Sequence, residues 1–385
     1  MIARIRTLLL LVAALAAGGA LAQGTGDYVP PRHDWQSRSP AELGFDAGKL
    51  TQAVAFAQAR AVTEPSDMRQ VLLDNYTGRE PNYRILGPTR DRVGSAGIIL
   101  RHGYKVAEWG DVQRPDMTFS AVKSYLATVA GLLWADGRIA DFDHRVAGYI
   151  EPGLFASEQN APITWRHLLQ QTSDWQGTLW EVPDWADRPE GETEADWPNR
   201  PLSAPGSRFK YNDVRINLLA LSLLHVARQP LPELLRERIM DPIGASPTWR
   251  WHGYENSWLT LDGQKIQSVS GGGHFGGGMF VGAEDHARFG LLMLRRGVWG
   301  EQRLLPDAWF DLIRAPTEAK PDYGFLWWLN TGRQAIPEAP ESAYWAAGFG
   351  GHYIYIDEVH DLVIVLRWVP ELRGTVAAVL AALSG

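Results

Sequence analysis

Met117-Thr-Phe-Ser-Ala-Val-Lys-Ser-Tyr-Leu-Ala-Thr-Val-Ala-Gly-Leu-Leu-Trp134 is the stretch from which the rest of the chain is read. Apolar side chains at Val122, Leu126, Val129, Leu132 and Leu133 recur at helical spacing, which predicts a buried or half-buried helix opening near Ser120 and ending at Asp136-Gly137. Residues three apart share a helix face, so the Ser120 hydroxyl lies beside the Lys123 amine in the first turn. In a buried helix, desolvation and the positive end of the dipole both disfavour an ammonium. The lysine is therefore expected to shift down, towards a neutral amine that accepts the serine proton. The unpaired N–H groups of the same turn, that of Ser120 included, suit a developing oxyanion.

Ser-x-x-Lys is a short string, and the chain carries a second copy at Ser207-Arg-Phe-Lys210. The alternative reading makes Ser120 a helix cap and Lys123 a solvated cation. Context separates the two copies: Ser207 follows Pro205-Gly206 and opens no apolar stripe, whereas Ser120 does.

Upstream, Gly97 to Gly110 reads as two strands joined at Arg101-His102-Gly103, and Leu43 to Ala61 as an amphipathic helix with Leu50, Val54 and Ala57 on one face. Residues 62–92 mix charge and turn formers and predict no element. Downstream, short helices are expected over 143–150 and 164–171, the second capped by Thr164, and longer ones over 212–228, 232–240 and 285–296. Residues 172–206 read as a loop holding Trp175, Trp180, Trp185 and Trp197, expected to wall a cleft. The glycines of 271–278 are not followed by Lys-Ser/Thr, so close backbone packing explains them better than a phosphate loop. Alternation returns over 323–330, 344–348, 352–357 and 362–368, and a last helix spans 374–383. The expected fold is α+β: an antiparallel sheet, built from both ends of the chain and flanked by helices, with a mainly helical lobe inserted. The sheet lobe takes about 23–140 and 260–385, the helical lobe about 141–259.

At 385 residues and 45% hydrophobic the chain can bury a large core, and a net charge of −7 without any basic block argues against nucleic acid as a partner. Arg4 and Arg6, an apolar run over 8–17 and Ala20-Leu21-Ala22 predict a signal peptide over 1–22 and a periplasmic or secreted protein with no membrane span after its removal. The absence of cysteine excludes disulfides and a thiol nucleophile. No Gly-x-Ser-x-Gly elbow occurs, which argues against an α/β-hydrolase; no His-Glu-x-x-His or dense histidine cluster occurs, which argues against a catalytic zinc, so no metal or other cofactor is expected and His167, His274 and His286 are read as structural. Asp174 is read as a solvated acid.

Three motifs now stand in one order: Ser120-Ala-Val-Lys123, Tyr211-Asn212-Asp213 after Pro205-Gly206, and Trp345-Ala-Ala-Gly-Phe-Gly-Gly351. That order resembles the penicillin-recognising serine hydrolases, the group of class C β-lactamases, DD-peptidases, family VIII esterases and 6-aminohexanoate-dimer hydrolases. Ile163-Thr-Trp-Arg-His-Leu-Leu169 and Ser270 to Phe280 running into Asp285-His-Ala-Arg-Phe-Gly290 extend the likeness over nearly the whole mature chain; the second stretch is most similar to the aminohexanoate-hydrolase branch, and the chain as a whole to the last two branches. The resemblance implies a β-lactamase/transpeptidase-like fold and a small-molecule ester or amide substrate, with no implication for oligomeric state. It makes Ser120 the nucleophile, Lys123 the base or relay and Tyr211 the proton shuttle, with Arg208 or Lys210 favouring its phenolate. The oxyanion would sit between the N–H groups of Ser120 and Phe349, with Gly348 kept small to admit substrate along the strand. Asp213 completes the implied substrate contacts; His352, as a replacement cation, and Trp175, from the aromatic loop, are read as further ones.

Two positions depart from the family pattern. The second motif usually ends in Asn, where Asp213 stands, and an ionised carboxylate donates no hydrogen bond. The third usually opens on a cation that grips a substrate carboxylate, where Ala346-Ala347 stand. A β-lactam or D-Ala-D-Ala terminus would lose an anchor worth ~1.5–3 kcal/mol, so weak activity on both is expected unless His352 replaces it. Alternatives are a β-lactamase or D-alanyl-D-alanine peptidase after all, or a catalytically silent binding module on the same fold.

Overall fold

Acid caps start the first helices. Asp46 accepts the Lys49 N–H at 2.8 Å and so begins α1 (Ala47–Gln58) later than the apolar pattern, which includes Leu43, suggested. Asp67 caps α2 (Met68–Tyr76), which falls where the sequence pattern predicted nothing. The structure, a computed structural model, describes residues 28–63, 65–150 and 152–384; the proposed signal peptide lies outside the described residues.

The expected hairpin forms as β1 (Ala96–Arg101) and β2 (Tyr104–Trp109), turning at His102 and Gly103 with φ of 54° and 82°. β3 (Asp116–Met117) then leads through a tight 3₁₀ turn, Phe119–Ala121, into α3 (Val122–Ala135). Every residue of α3 from Val122 to Leu133 is buried, so this helix is a core strut. α4 (Trp165–Leu169) starts at Thr164, whose side chain accepts the His167 N–H at 3.3 Å. The helix expected over 143–150 is reduced to a 3₁₀ turn, Val146–Gly148, ending on a glycine. α5 (Asp213–Ala227) is capped by Asn212, and α6 (Leu231–Leu235) runs on as a π-helical turn to Met240.

β4 (Arg250–Leu261) and β5 (Gln264–Val269) form a hairpin that the sequence reading did not single out. With β6 (Gly278–Val281) they make a four-stranded sheet in the order β3-β6-β4-β5. α7 (Ala283–Leu294) and α8 (Asp307–Ile313) follow. The strand expected over 323–330 shrinks to β7 (Trp328–Leu329), because Gly324 N–H turns back to the Trp327 carbonyl at 2.9 Å and Leu326 takes φ 58°. β8 (Tyr344–Gly348), β9 (His352–Asp357) and β10 (Leu362–Arg367) match the alternating stretches, and α9 (Leu372–Ala381) closes the chain.

The main sheet has six strands, all antiparallel, in the order β7-β8-β9-β10-β1-β2, so both ends of the chain meet where β1 pairs with β10. Period-two alternation assigns its faces. Ile98 and Leu100 join the core that contains α3 and α7, while Ile99 joins the one that contains α1 and α9. The result is an α+β fold, an antiparallel sheet with helices on both faces.

Candidate active site

Ser120 sits on a bend under tension. Phe119 before it takes φ 46°, a left-handed conformation that a bulky side chain adopts only when its surroundings impose it. The restraints are visible on both sides. Thr118 N–H donates to the Met279 carbonyl at 3.0 Å, and the Thr118 hydroxyl meets His286 Nε2 at 2.9 Å. His286 Nδ1 in turn meets the Tyr125 hydroxyl at 2.8 Å, and burial together with Arg367 holds this imidazole neutral. From the other side β8 presses close: a methyl at Gly348 would lie 2.3 Å from the Thr118 carbonyl oxygen. Close approach to this bend, rather than room for substrate, requires the glycine there.

Lys123 Nζ donates to Ser120 Oγ at 2.9 Å and to Asp213 Oδ1 at 2.7 Å, with both charged side chains almost fully buried. Here the structure overturns an expectation. Burial alone would lower the lysine, but Asp213 more than offsets it, and Lys123 is raised above its ordinary value. Asp213, which burial would raise, is held down to about 2 by Lys123, Arg188 and His274. The pair is an ammonium and a carboxylate, not a neutral amine. The glycine cluster packs on it: His274 N–H donates to Asp213 Oδ2 at 3.2 Å, and a methyl at Gly272 would lie 2.1 Å from that oxygen and 2.5 Å from Lys123 Nζ. Gly272→Ala should therefore lower the thermal midpoint, by about 1–3 kcal/mol of unfolding free energy, as the overpacked pair is forced apart; an unchanged midpoint would mean that the loop yields freely.

Tyr211 precedes the Asn212 cap of α5, and its ring lies 4.7 Å from Lys123 Nζ and faces Trp328 with centroids 6.3 Å apart. Among the described residues its hydroxyl makes no hydrogen bond to Ser120 or Lys123. The guanidinium over its ring, at 5.1 Å, is that of Arg188. Arg208 and Lys210 are engaged elsewhere, both on Glu190, at 2.7 and 2.9 Å. Ser120, Tyr211, Asp213, Gly348 and Phe349 line one open cavity, with Leu72 and Tyr76 of α2 and Arg188 on its walls. The N–H groups of Ser120 and Phe349 take part in no turn, loop or cap hydrogen bond among the described residues. A hydroxyl and a phenol thus line one space, with the Lys123 ammonium 2.9 Å from the hydroxyl, a set suited to acyl transfer.

A family model described as Beta-lactamase matches residues 84–369. The chain belongs to the beta-lactamase family. It shares that family's serine-hydrolase fold with several solved structures. One is assigned as a 6-aminohexanoate-dimer hydrolase of Bacillus anthracis (17% identity, TM-score 0.55, covering 92% of this chain and 88% of that one). Another is EstCE1, a hydrolase with promiscuous acyltransferase activity (18%, 0.57, 88% and 99%). A third is a D-stereospecific amidohydrolase of a Streptomyces species (16%, 0.53, 82% and 98%). No curated protein sequence matches the chain.

Within this beta-lactamase-family site, two expected contacts and one expected surface acid are corrected. Trp175 is 1% exposed and donates through Nε1 to the Leu154 carbonyl at 2.7 Å; it is a core residue away from the cavity. His352 is buried against Trp368, ring centroids 4.3 Å apart, and burial, Arg367 and His286 keep it well below its usual value, so it offers no cation to a substrate. Asp174 is no solvated acid but a buried partner of Arg215 at 2.7 Å and Arg200 at 2.8 Å. The tryptophan-rich loop reaches the cavity through Arg188 instead. That residue is fixed by its N–H to Glu80 Oε1 at 3.2 Å and by an ion pair to Asp187. Glu80, Asp187 and His274 gather as metal ligands would. Burial alone would lower His274, but Asp187, Glu80 at 2.7 Å and Asp213 raise it, so the carboxylates and the imidazole also fit one another as a buried ion-pair cluster.

Proposed function

We propose that the protein is an exported serine hydrolase that cleaves ester or amide bonds through an acyl-enzyme on Ser120. The observation that carries this is the 2.9 Å hydrogen bond from Lys123 Nζ to Ser120 Oγ at the wall of a cavity that Tyr211 and Phe349 also line. Ser120 Oγ attacks the carbonyl carbon. Tyr211 accepts the serine proton at its hydroxyl while giving its own to the departing oxygen or nitrogen, so neither a free base nor a free acid accumulates. Lys123, held as an ammonium by Asp213, steadies the developing alkoxide, and the N–H groups of Ser120 and Phe349 receive the carbonyl oxygen as it becomes an oxyanion. Water then attacks the acyl-enzyme, with the proton returning along the same path. The leader over residues 1–22 supports export, to the periplasm or beyond.

The places of the missing cation support esters and uncharged amides over β-lactams and D-Ala-D-Ala peptides. Ala346 is buried, Ala347 lines the cavity, and the nearby Arg188 is paired with Asp187. Mixing the protein with a p-nitrophenyl ester and quenching early should add one acyl mass, mapped by peptide digestion to Ser120. Turnover without that adduct, or an adduct on another residue, would reject the assignment. A fluorescent penicillin should label Ser120 far more slowly than the activated ester does.

A further inference from the structure

Beside the cavity that holds Ser120 lies a second one of about 350 Å³, within the range of small-molecule sites. Val62, Met68, Val71, Trp368 and Pro370 line it, and Phe349 belongs to both cavities. Two polar side chains also reach it, and both are turned onto backbone: Asn75 Nδ2 donates to the Val71 carbonyl at 2.8 Å, and Arg92 Nη1 to the Val93 carbonyl at 3.3 Å. Most of the remaining lining is apolar, and the Arg92 guanidinium stands 5.9 Å from the Trp368 ring.

α2 divides the two spaces. Leu72 and Tyr76, four apart, face the Ser120 side; Met68, Val71 and Asn75, three and four apart, face the other. Phe349 is 37% exposed where most large apolar side chains are buried, and its ring meets Phe119 edge-on with centroids 5.3 Å apart. An exposed aromatic shared by two cavities, held against the residue before the nucleophile, calls for an apolar neighbour.

We infer that the second cavity receives the apolar arm of the substrate's acyl group, an alkyl chain or aryl ring that passes Phe349 on its way from the reacting carbonyl. This rests on the acyl-enzyme reading. Direction follows from the two ends of the site. Tyr211, which delivers the proton to the leaving group, stands with Arg188 and Trp328 on the first cavity and takes no part in the second. The leaving group therefore departs towards Tyr211. The carbonyl oxygen is held at the Phe349 N–H, and the acyl arm extends past the side chain of that same residue. A hydrolase for esters of apolar acids results, gaining about three- to fourfold in kcat/KM for each methylene buried.

The test uses p-nitrophenyl esters of two, four, six and eight carbons and reads the ratio of kcat/KM for the longest over the shortest. In the wild-type protein the ratio should exceed tenfold. Val71→Trp, which fills the cavity, should lower it at least tenfold, and Val71→Ala should move the preferred length upward. Asn75→Phe closes the same space from a half-exposed position should Val71→Trp not fold. A wild-type series that acylates Ser120 with no dependence on chain length, or filled variants that keep the wild-type ratio, overturns this inference alone. Failure of every ester to acylate Ser120 overturns it together with the reading on which it rests.

Discussion

Ser120→Ala should lower kcat for p-nitrophenyl ester hydrolysis on the order of 10⁴- to 10⁶-fold while the protein stays folded. The large figure follows from chemistry, since without Oγ no acyl-enzyme forms and the remaining donors can only hold substrate near water. The small effect on fold follows from packing. The hydroxyl has one side-chain partner, Lys123 at 2.9 Å, and that lysine keeps its bond to Asp213 at 2.7 Å. A thermal midpoint within a few degrees of wild type, measured with the rate, separates the two. Residual turnover within tenfold of wild type would place the nucleophile elsewhere.

Asp213→Ala should be the most destabilising single change near the site, by about 3–5 kcal/mol, because it leaves Lys123 buried without its counter-charge. Asp213→Asn keeps the shape and changes the titration. In the wild type, the folded value of Asp213 is lowered from 3.8 to about 2, so its contribution is complete above 3.8 and is lost as pH falls through about 2. Lys123 is raised above 10.5, so its contribution is complete below that value and is lost only as pH rises through the higher folded one. Urea midpoints of the wild type should accordingly show no loss from this pair between pH 5 and pH 9. With asparagine in place, burial acts on Lys123 unopposed by its main partner, its value falls, and the rate should gain a pH-dependent limb absent from the wild type. Identical pH–rate profiles for the two proteins would show that Asp213 does not set the charge of Lys123.

What could be read from the sequence was local. Ser120 and Lys123 are three residues apart where a turn runs into one helix, Tyr211 abuts a cap, and β8 to β10 are short, largely apolar runs, so short-range pattern sufficed for each. What could not be read depends on partners distant in the chain. The charge of Lys123 is decided by Asp213, 90 residues on, and that of His274 in part by Glu80, 194 residues back. His352 is an ordinary polar residue in the sequence and becomes a neutral core group only because Trp368 and Arg367 pack around it. Trp175 stood in a loop rich in aromatics, a composition shared by cleft walls and by cores, and burial chose the core. The wall of the cavity came instead from α2, whose mixed residues face two spaces at once and so show no single apolar stripe. One signal was available for it: Asp67 as a cap before Met68, Val71 and Leu72.

The main sheet also bears on how the molecule reaches its working state. β1 pairs along its length with β10, so Ala96 must wait for Arg367 before its ladder can close. The sheet cannot be completed until the β10 segment has been made, and pairing across so long a loop is slow. Deleting β10 would strip β1 of one of its two neighbours and leave its N–H and C=O groups on that side as a bare edge.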